Sequence, residues 1–147
     1  MKFKHVCVLG LGYIGLPLAS TMATHGVKVT GFDVNKQILK KLRNGELHIY
    51  EPGLKTLVEQ ALSSGELIIS DKVVDADAFI IAVPTPITVD KRADLEAVKS
   101  AADSIVPHLK KGNLVMLEST SPPRTTVDIV APILERSGLK AGQDFLL

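Results

Sequence analysis

Short apolar runs recur along the chain, each ended by glycine, proline or a polar residue: Val6-Cys7-Val8-Leu9, Val27 to Phe32, Leu67 to Ser70, Ala78 to Val83 and Leu114 to Leu117. Runs of this length bounded by turn residues read as strands. The unbroken run Ala78-Phe79-Ile80-Ile81-Ala82-Val83 has the character of a strand buried on both faces. Between the strands, apolar residues return at helical spacing. A helix opens near Gly15. Lys36 to Arg43 predicts a second, ended by Asn44-Gly45. Leu54, Leu57, Val58, Ala61 and Leu62 predict a third, closed by Ser63-Ser64-Gly65. Glu51-Pro52 marks its start, with the proline tolerated in the first turn. A fourth helix is expected from about Asp94 to His108, with Ala97, Ala101, Ile105 and Leu109 as its inner stripe, and a fifth from Thr125 to Arg136, bent near Pro132. Glu46 to Tyr50 reads as an irregular connector, Asp71 to Asp77 as a turn, and Phe145-Leu146-Leu147 as a strand cut off as it starts. Short strands alternating with helices predict an α/β fold: a doubly wound parallel sheet with helices on both faces.

Ligands in such folds sit beyond the carboxyl ends of the strands. The chain keeps its unusual residues there: Gly10 to Gly15, Asp33, Pro84 to Pro86, and Glu118 to Pro122. The first of these, Gly10-Leu11-Gly12-Tyr13-Ile14-Gly15, joins the first strand to the first helix, and the second strand ends at Asp33. Each glycine has a physical task in a Rossmann-like dinucleotide site. Gly10 permits the tight turn, Gly12 lets a pyrophosphate approach the backbone, and Gly15 allows the helix to pack on the strand. Free N–H groups at the helix start then face the phosphates. Asp33 can accept hydrogen bonds from both hydroxyls of an adenosine ribose. Its carboxylate would repel a 2′-phosphate, and no arginine follows in Val34-Asn35-Lys36, so NAD is expected rather than NADP. An ordinary glycine turn before a core helix is the alternative to this reading.

Composition narrows the remaining possibilities. At 147 residues the chain has the size of one domain. Seventeen Lys and Arg against sixteen Asp and Glu leave a formal charge of +1, so no basic stripe points to nucleic acid. Lys40-Lys41-Arg43 and Lys110-Lys111 read as solvated helix ends. No apolar run has the length of a membrane span, the N-terminus begins almost directly with a strand, and no metal site is expected. Cys7 is the only cysteine, which excludes an intrachain disulfide and suggests a cytoplasmic location. Its place between Val6 and Val8 suggests packing rather than nucleophilic chemistry.

The segments GLGYIGLPLA at Gly10 to Ala19, HIYEPGL at His48 to Leu54, AVPTPI at Ala82 to Ile87 and ESTSPPRTT at Glu118 to Thr126 together resemble the nucleotide-sugar 6-dehydrogenases, the family of UDP-glucose and GDP-mannose dehydrogenases. They run in the family's order and cover nearly the whole chain. Within it, His48 before Glu51-Pro52 and the run Glu118-Ser119-Thr120-Ser121-Pro122 look most like members acting on UDP-N-acetyl-D-mannosamine; members acting on UDP-glucose are the nearest alternative.

The resemblance implies oxidation of a sugar C6 alcohol to a carboxylate in two steps, each reducing one NAD. It implies a connecting helix and a C-terminal domain that supplies the nucleophilic cysteine and most contacts to the UDP-sugar, with homodimers built through that helix. Residues 1–147 would then be the NAD-binding domain of a longer enzyme, inactive alone. Carried over by position, Tyr13 and Ile14 would line the pyrophosphate and adenosine side, with Asp33 on the ribose, and Thr85 would contact the cofactor. Thr120 would sit near the nicotinamide and the reacting carbon. From the residues alone, Thr85 can equally satisfy a turn between prolines, and Thr120 can cap the next helix. Glu118 is either an active-site carboxylate or a strand-end acid. His48 and Glu51 could reach the substrate cleft, or be a surface loop residue and a helix-start acid. A stand-alone NAD-binding or redox-sensing module, and a hydroxy-acid dehydrogenase of the same cofactor fold, are the competing functions.

Overall fold

The computed structural model describes residues 3–147, in which five strands form one parallel sheet. β1 (His5–Leu9), β2 (Lys28–Phe32), β3 (Leu67–Ser70), β4 (Ala78–Ile81) and β5 (Leu114–Leu117) lie in the order β3-β2-β1-β4-β5. The chain therefore winds outward from β1 in one direction and then in the other, which leaves a crevice where the direction reverses. Leu9 pairs in register with both Phe32 and Ile81, and Ile81 with Leu117, so the strands end level.

Alternation along β1 divides the core in two. Val6 and Val8 face Ala19 and Ala23 of α1 (Gly15–Thr24) and Ala61 of α3 (Leu54–Ser63). Cys7 and Leu9 face the other side, where Val98, Ala102 and Ile105 of α4 (Glu96–Ile105) pack with Val130 and Leu134. Leu39 and Leu42 of α2 (Lys36–Arg43) close a third cluster over Leu11, Leu16, Leu54 and Val58. Each fully buried Leu contributes about 1.5–3 kcal/mol of transfer free energy. Helices on both faces explain why the strands read as apolar rather than alternating. Among the described residues no helix is long and apolar enough to cross a membrane.

Some boundaries differ from expectation, each for a backbone reason. Pro52 lies outside α3, because Gly53 adopts a left-handed conformation (φ 79°) and the helix begins only at Leu54. β4 leaves its ladder after Ile81: Ala82 still donates to the Leu9 carbonyl (2.8 Å), but Pro84 has no N–H to continue. α4 begins at Glu96, whose N–H bonds the Asp94 carboxylate (3.0 Å). Its buried stripe runs through Val98, Ala101, Ala102 and Ile105, leaving Ala97 only half-buried. The expected fifth helix is a wide π-type turn (Thr126–Val130), then α5 (Ala131–Leu134), then a 3-10 turn (Glu135–Ser137). Pro132, lacking an N–H, sits where the pattern changes. Phe145 is buried, and Leu146 exchanges backbone hydrogen bonds with Asn113 (2.9 Å) and Val115 (2.8 Å) alongside β5.

Candidate functional site

The glycine turn after β1 is built by close backbone approach. Gly10 has φ +96° and donates to the Phe32 carbonyl (2.8 Å); a Cβ there would lie 2.6 Å from the Ala82 oxygen. A Cβ on Gly15 would collide with the Gly10 carbonyl oxygen. Both glycines are thus required by the chain's own packing. Gly12 is different: its φ is unexceptional and a Cβ would meet nothing within 4 Å. It borders an open groove. The N-terminus of α1 has no side-chain cap and no acid in its first turn. The Leu16 N–H already donates to the Gly12 carbonyl (3.1 Å) and Pro17 has none, so the N–H groups just ahead of Leu16 are the ones placed to receive an anion.

Asp33 follows β2 and is half-buried. Its Oδ2 accepts from the Leu11 N–H (2.9 Å) and its Oδ1 from the Asn35 N–H (2.8 Å). The carboxylate thus ties the glycine turn to the start of α2, while a second lone pair on each oxygen is free for a ribose hydroxyl. Asn35 caps α2 by accepting from Gln37 N–H (2.9 Å).

From Asp33 and Val34, a groove of about 530 Å³ runs past Gly12, Tyr13 and Ile14 to Thr85, Ser119 and Thr120. A smaller, mainly apolar cavity of about 190 Å³ branches from it between Val34, Pro84 and α4, where Ala97, Ser100 and Ser104 line it. Tyr13 and Ile14 stand 61% and 57% exposed at the groove, unusual for large apolar side chains.

Thr85 and Thr120 are brought together, with the Thr85 hydroxyl donating to the Thr120 carbonyl (2.5 Å). That bond crosses between loops, so Thr85 does not merely satisfy its own turn. Nor does Thr120 cap a helix, since the helical stretch opens at Thr126 with Thr125 before it. Glu118 is exposed and does not line the groove. His48 and Glu51 line a different hollow, of about 720 Å³, formed by the loop between α2 and α3. Both His48 ring nitrogens are buried there without a partner among the described residues. Glu51 also borders a shallow depression that reaches Tyr13. Cys7 is fully buried in β1, and burial pushes its thiol up to about 11, which leaves it unreactive. No three His, Cys, Asp or Glu among the described residues are grouped to hold a metal.

The sequence pattern assigns no site role to Val34 or Ser119, nor to Ser100, Ser104 and Ala97, the last of which it places in the core-facing stripe of the fourth helix. Val34 and Ser119 each adjoin a residue that it did mark. The α4 residues carry no local signal, because only the packing of α4 beside β4 brings them to the cavity.

Residues 4–147 match the family model described as "UDP-glucose/GDP-mannose dehydrogenase family, NAD binding domain". The chain is 51% identical over 134 residues to a UDP-N-acetyl-D-mannosamine dehydrogenase of Methanococcus maripaludis, covering 88% of this chain and 31% of that protein. It is 48% identical over 126 residues to the enzyme of the same name from Escherichia coli, with coverage of 86% and 30%. Among solved structures it is similar to a UDP-N-acetyl-mannosamine dehydrogenase from Staphylococcus aureus (TM-score 0.92, 48% identity, 96% of this chain and 35% of that one). A GDP-mannose dehydrogenase of Pseudomonas aeruginosa, solved as a ternary complex, matches with a TM-score of 0.90 at 31% identity, over 96% of this chain and 34% of that one. The chain thus spans about a third of the length of these relatives.

Proposed function

Because the chain belongs to the UDP-glucose/GDP-mannose dehydrogenase family and carries its NAD-binding domain, we propose that NAD lies along the groove at the carboxyl ends of the strands. Asp33 holds the adenosine ribose, and the branch cavity beside Val34 and Pro84 takes the flat adenine ring. Gly10 and Gly12, with Tyr13 and Ile14, border the pyrophosphate at the start of α1, and Gly15 contributes by the close packing that shapes the turn. Thr85 and Thr120 lie at the nicotinamide end. The observation that carries this reading is Gly12, whose bare face opens into the groove beside an uncapped helix N-terminus. A Cβ would fill the space that a pyrophosphate needs.

We further propose that residues 1–147 are one domain of a longer enzyme that oxidises the C6 alcohol of UDP-N-acetyl-D-mannosamine to the carboxylate. The names of the relatives support that substrate. NAD supplies the hydride acceptor for each two-electron step. The Thr120 hydroxyl, at the groove's far end, would orient a water or an oxyanion at the reacting carbon. Glu118, exposed beside Ser119, is assigned to the substrate side rather than to the cofactor. Buried Cys7 is unsuited to capture an aldehyde, and we place that role, with most UDP-sugar contacts, in the remaining length of the enzyme.

Calorimetric titration of the chain with NAD and NADP tests the cofactor assignment. NAD is expected to bind more tightly, and equal affinities would remove Asp33 from the ribose. A panel of UDP-sugars assayed with the full-length enzyme tests the substrate; preference for UDP-glucose would overturn the choice of sugar while leaving the groove assignment intact.

A further inference from the structure

The loops after β4 and β5 meet across the far end of the groove, and they meet through side chains. The ladder between the strands closes at Ile81 and Leu117, after which the Glu118 and Ser119 N–H groups both donate to the Ile81 carbonyl (2.9 and 3.2 Å). Beyond that point Pro84, Pro86, Pro122 and Pro123 have no N–H, so the backbone offers few donors to join one loop to the other. Hydroxyls take their place. Thr85 Oγ1 donates to the Thr120 carbonyl (2.5 Å), and Ser119 Oγ donates to the Val83 carbonyl (2.7 Å). Each loop supplies one hydroxyl and one carbonyl. The two bonds bracket the Ser119–Thr120 peptide and fix the backbone that aims the Thr120 side chain, while the Thr120 hydroxyl takes part in neither.

We propose that Thr85 and Ser119 are positioning residues, a reciprocal hydroxyl clasp that holds Thr120 at the nicotinamide end of the groove. The inference rests on the reading that NAD lies along the groove. In a doubly wound sheet the acid after the second strand marks the adenosine half, so the other nucleotide falls toward β4 and β5. The clasp touches only that second half. Loosening it weakens the hold on the nicotinamide nucleotide and leaves the adenosine half alone. A purely structural bond would instead affect both halves together through the stability of the domain.

ADP-ribose, which lacks the nicotinamide, separates these outcomes. Thr85→Val, Ser119→Ala and the double variant would be titrated calorimetrically with NAD and with ADP-ribose. Loss of one such hydrogen bond is expected to weaken NAD about three- to tenfold, with ADP-ribose unchanged within about twofold. The double variant should lose less than the product of the single effects, because both bonds hold the same short stretch of backbone at Ser119 and Thr120. Thr85→Ser keeps the hydroxyl and should restore NAD affinity. In the ligand-free Thr85→Val chain the Thr120 amide resonance should move while that of Leu11 stays, which marks positioning rather than a lost cofactor contact. Parallel weakening of NAD and ADP-ribose, unchanged NAD affinity in either folded single variant, or an unmoved Thr120 resonance would each overturn the clasp. Should the unaltered chain bind neither ligand, the groove reading falls and the clasp falls with it; binding of both without a selective effect refutes the clasp alone.

Discussion

Replacing Asp33 by alanine should weaken both the fold and its hold on NAD, by separable amounts. In the ligand-free chain the carboxylate accepts from Leu11 N–H at 2.9 Å and from Asn35 N–H at 2.8 Å. Hydrogen bonds to a charged acceptor contribute about 1.5–3 kcal/mol each. The Asn35 amide is exposed and water can replace its partner, whereas the Leu11 amide lies in a part-buried turn. The net loss should therefore be about 2 kcal/mol, which at about 3–4 °C per kcal/mol for a domain of this size lowers Tm by about 7 °C. Asp33→Asn keeps one acceptor and should lose about half as much. NAD binding should fall by a further 1–3 kcal/mol or so from the missing ribose contacts, and the preference over NADP should disappear with the negative charge. Differential scanning calorimetry, amide exchange at Leu11 and titration with both cofactors measure the separate parts. A Tm within about 1 °C of the unaltered chain, with Leu11 protection unchanged, would refute the tie between Asp33 and the glycine turn.

Ser20 is fully buried in α1 with no partner for its hydroxyl among the described residues, so Ser20→Ala should stabilise the domain by about 1 kcal/mol; a lower Tm on calorimetry would show that the hydroxyl is satisfied. His5 is held below its ordinary pKa of 6.5, first by burial and then by the Lys28 charge. Its stabilising neutral form is therefore kept above pH 6.5 and opposed as pH falls from there toward the lower folded value. Urea unfolding of the unaltered chain should weaken over that interval, His5→Gln should flatten the dependence, and an equal slope in both would contradict the assignment. The 147-residue chain, mixed with NAD and UDP-N-acetyl-D-mannosamine, should bind cofactor yet form no sustained NADH, because its single thiol is buried and raised to about 11. Turnover that survives Cys7→Ser would place the catalytic apparatus inside this chain.

The sheet and its helices were legible because burial on both faces leaves apolar runs that glycine and proline cut cleanly. Leu67–Ser70 and Leu114–Leu117 form strands over the expected residues, and Lys36–Arg43 the expected helix. Boundaries set by one backbone torsion or one missing N–H were not legible. Gly53 displaced the start of α3, and Pro132 accompanies a π-type turn where an even helix was expected. Of the expected inner stripe, Ala101, Ile105 and Leu109 are buried, but Val98 takes the place of Ala97 at its start because both are apolar, and only the packed structure shows that Ala97 faces the cavity beside Val34. Of the site, the glycines, Asp33, Thr85 and Thr120 stood out by their positions after strands; the structure brings Gly10, Gly12, Asp33, Thr85 and Thr120 to one groove and packs Gly15 beneath it against the Gly10 carbonyl. Glu118 occupies an equivalent position yet stays outside it. Ser119 lies inside the marked Glu118–Pro122 segment, but its role is a bond to Val83 in another loop, which no local pattern contains.

The central claim is that the dinucleotide lies against the bare backbone of Gly12, and Gly12→Val tests it most directly. A Cβ at this position meets no atom of the described residues within 4 Å apart from its own chain neighbours, so the variant should fold with its far-UV circular dichroism and Tm essentially unchanged. The valine side chain would occupy the space of the pyrophosphate, and calorimetric titration should detect no NAD binding. A folded Gly12→Val chain that binds NAD with the affinity of the unaltered one would contradict the account and place the cofactor elsewhere.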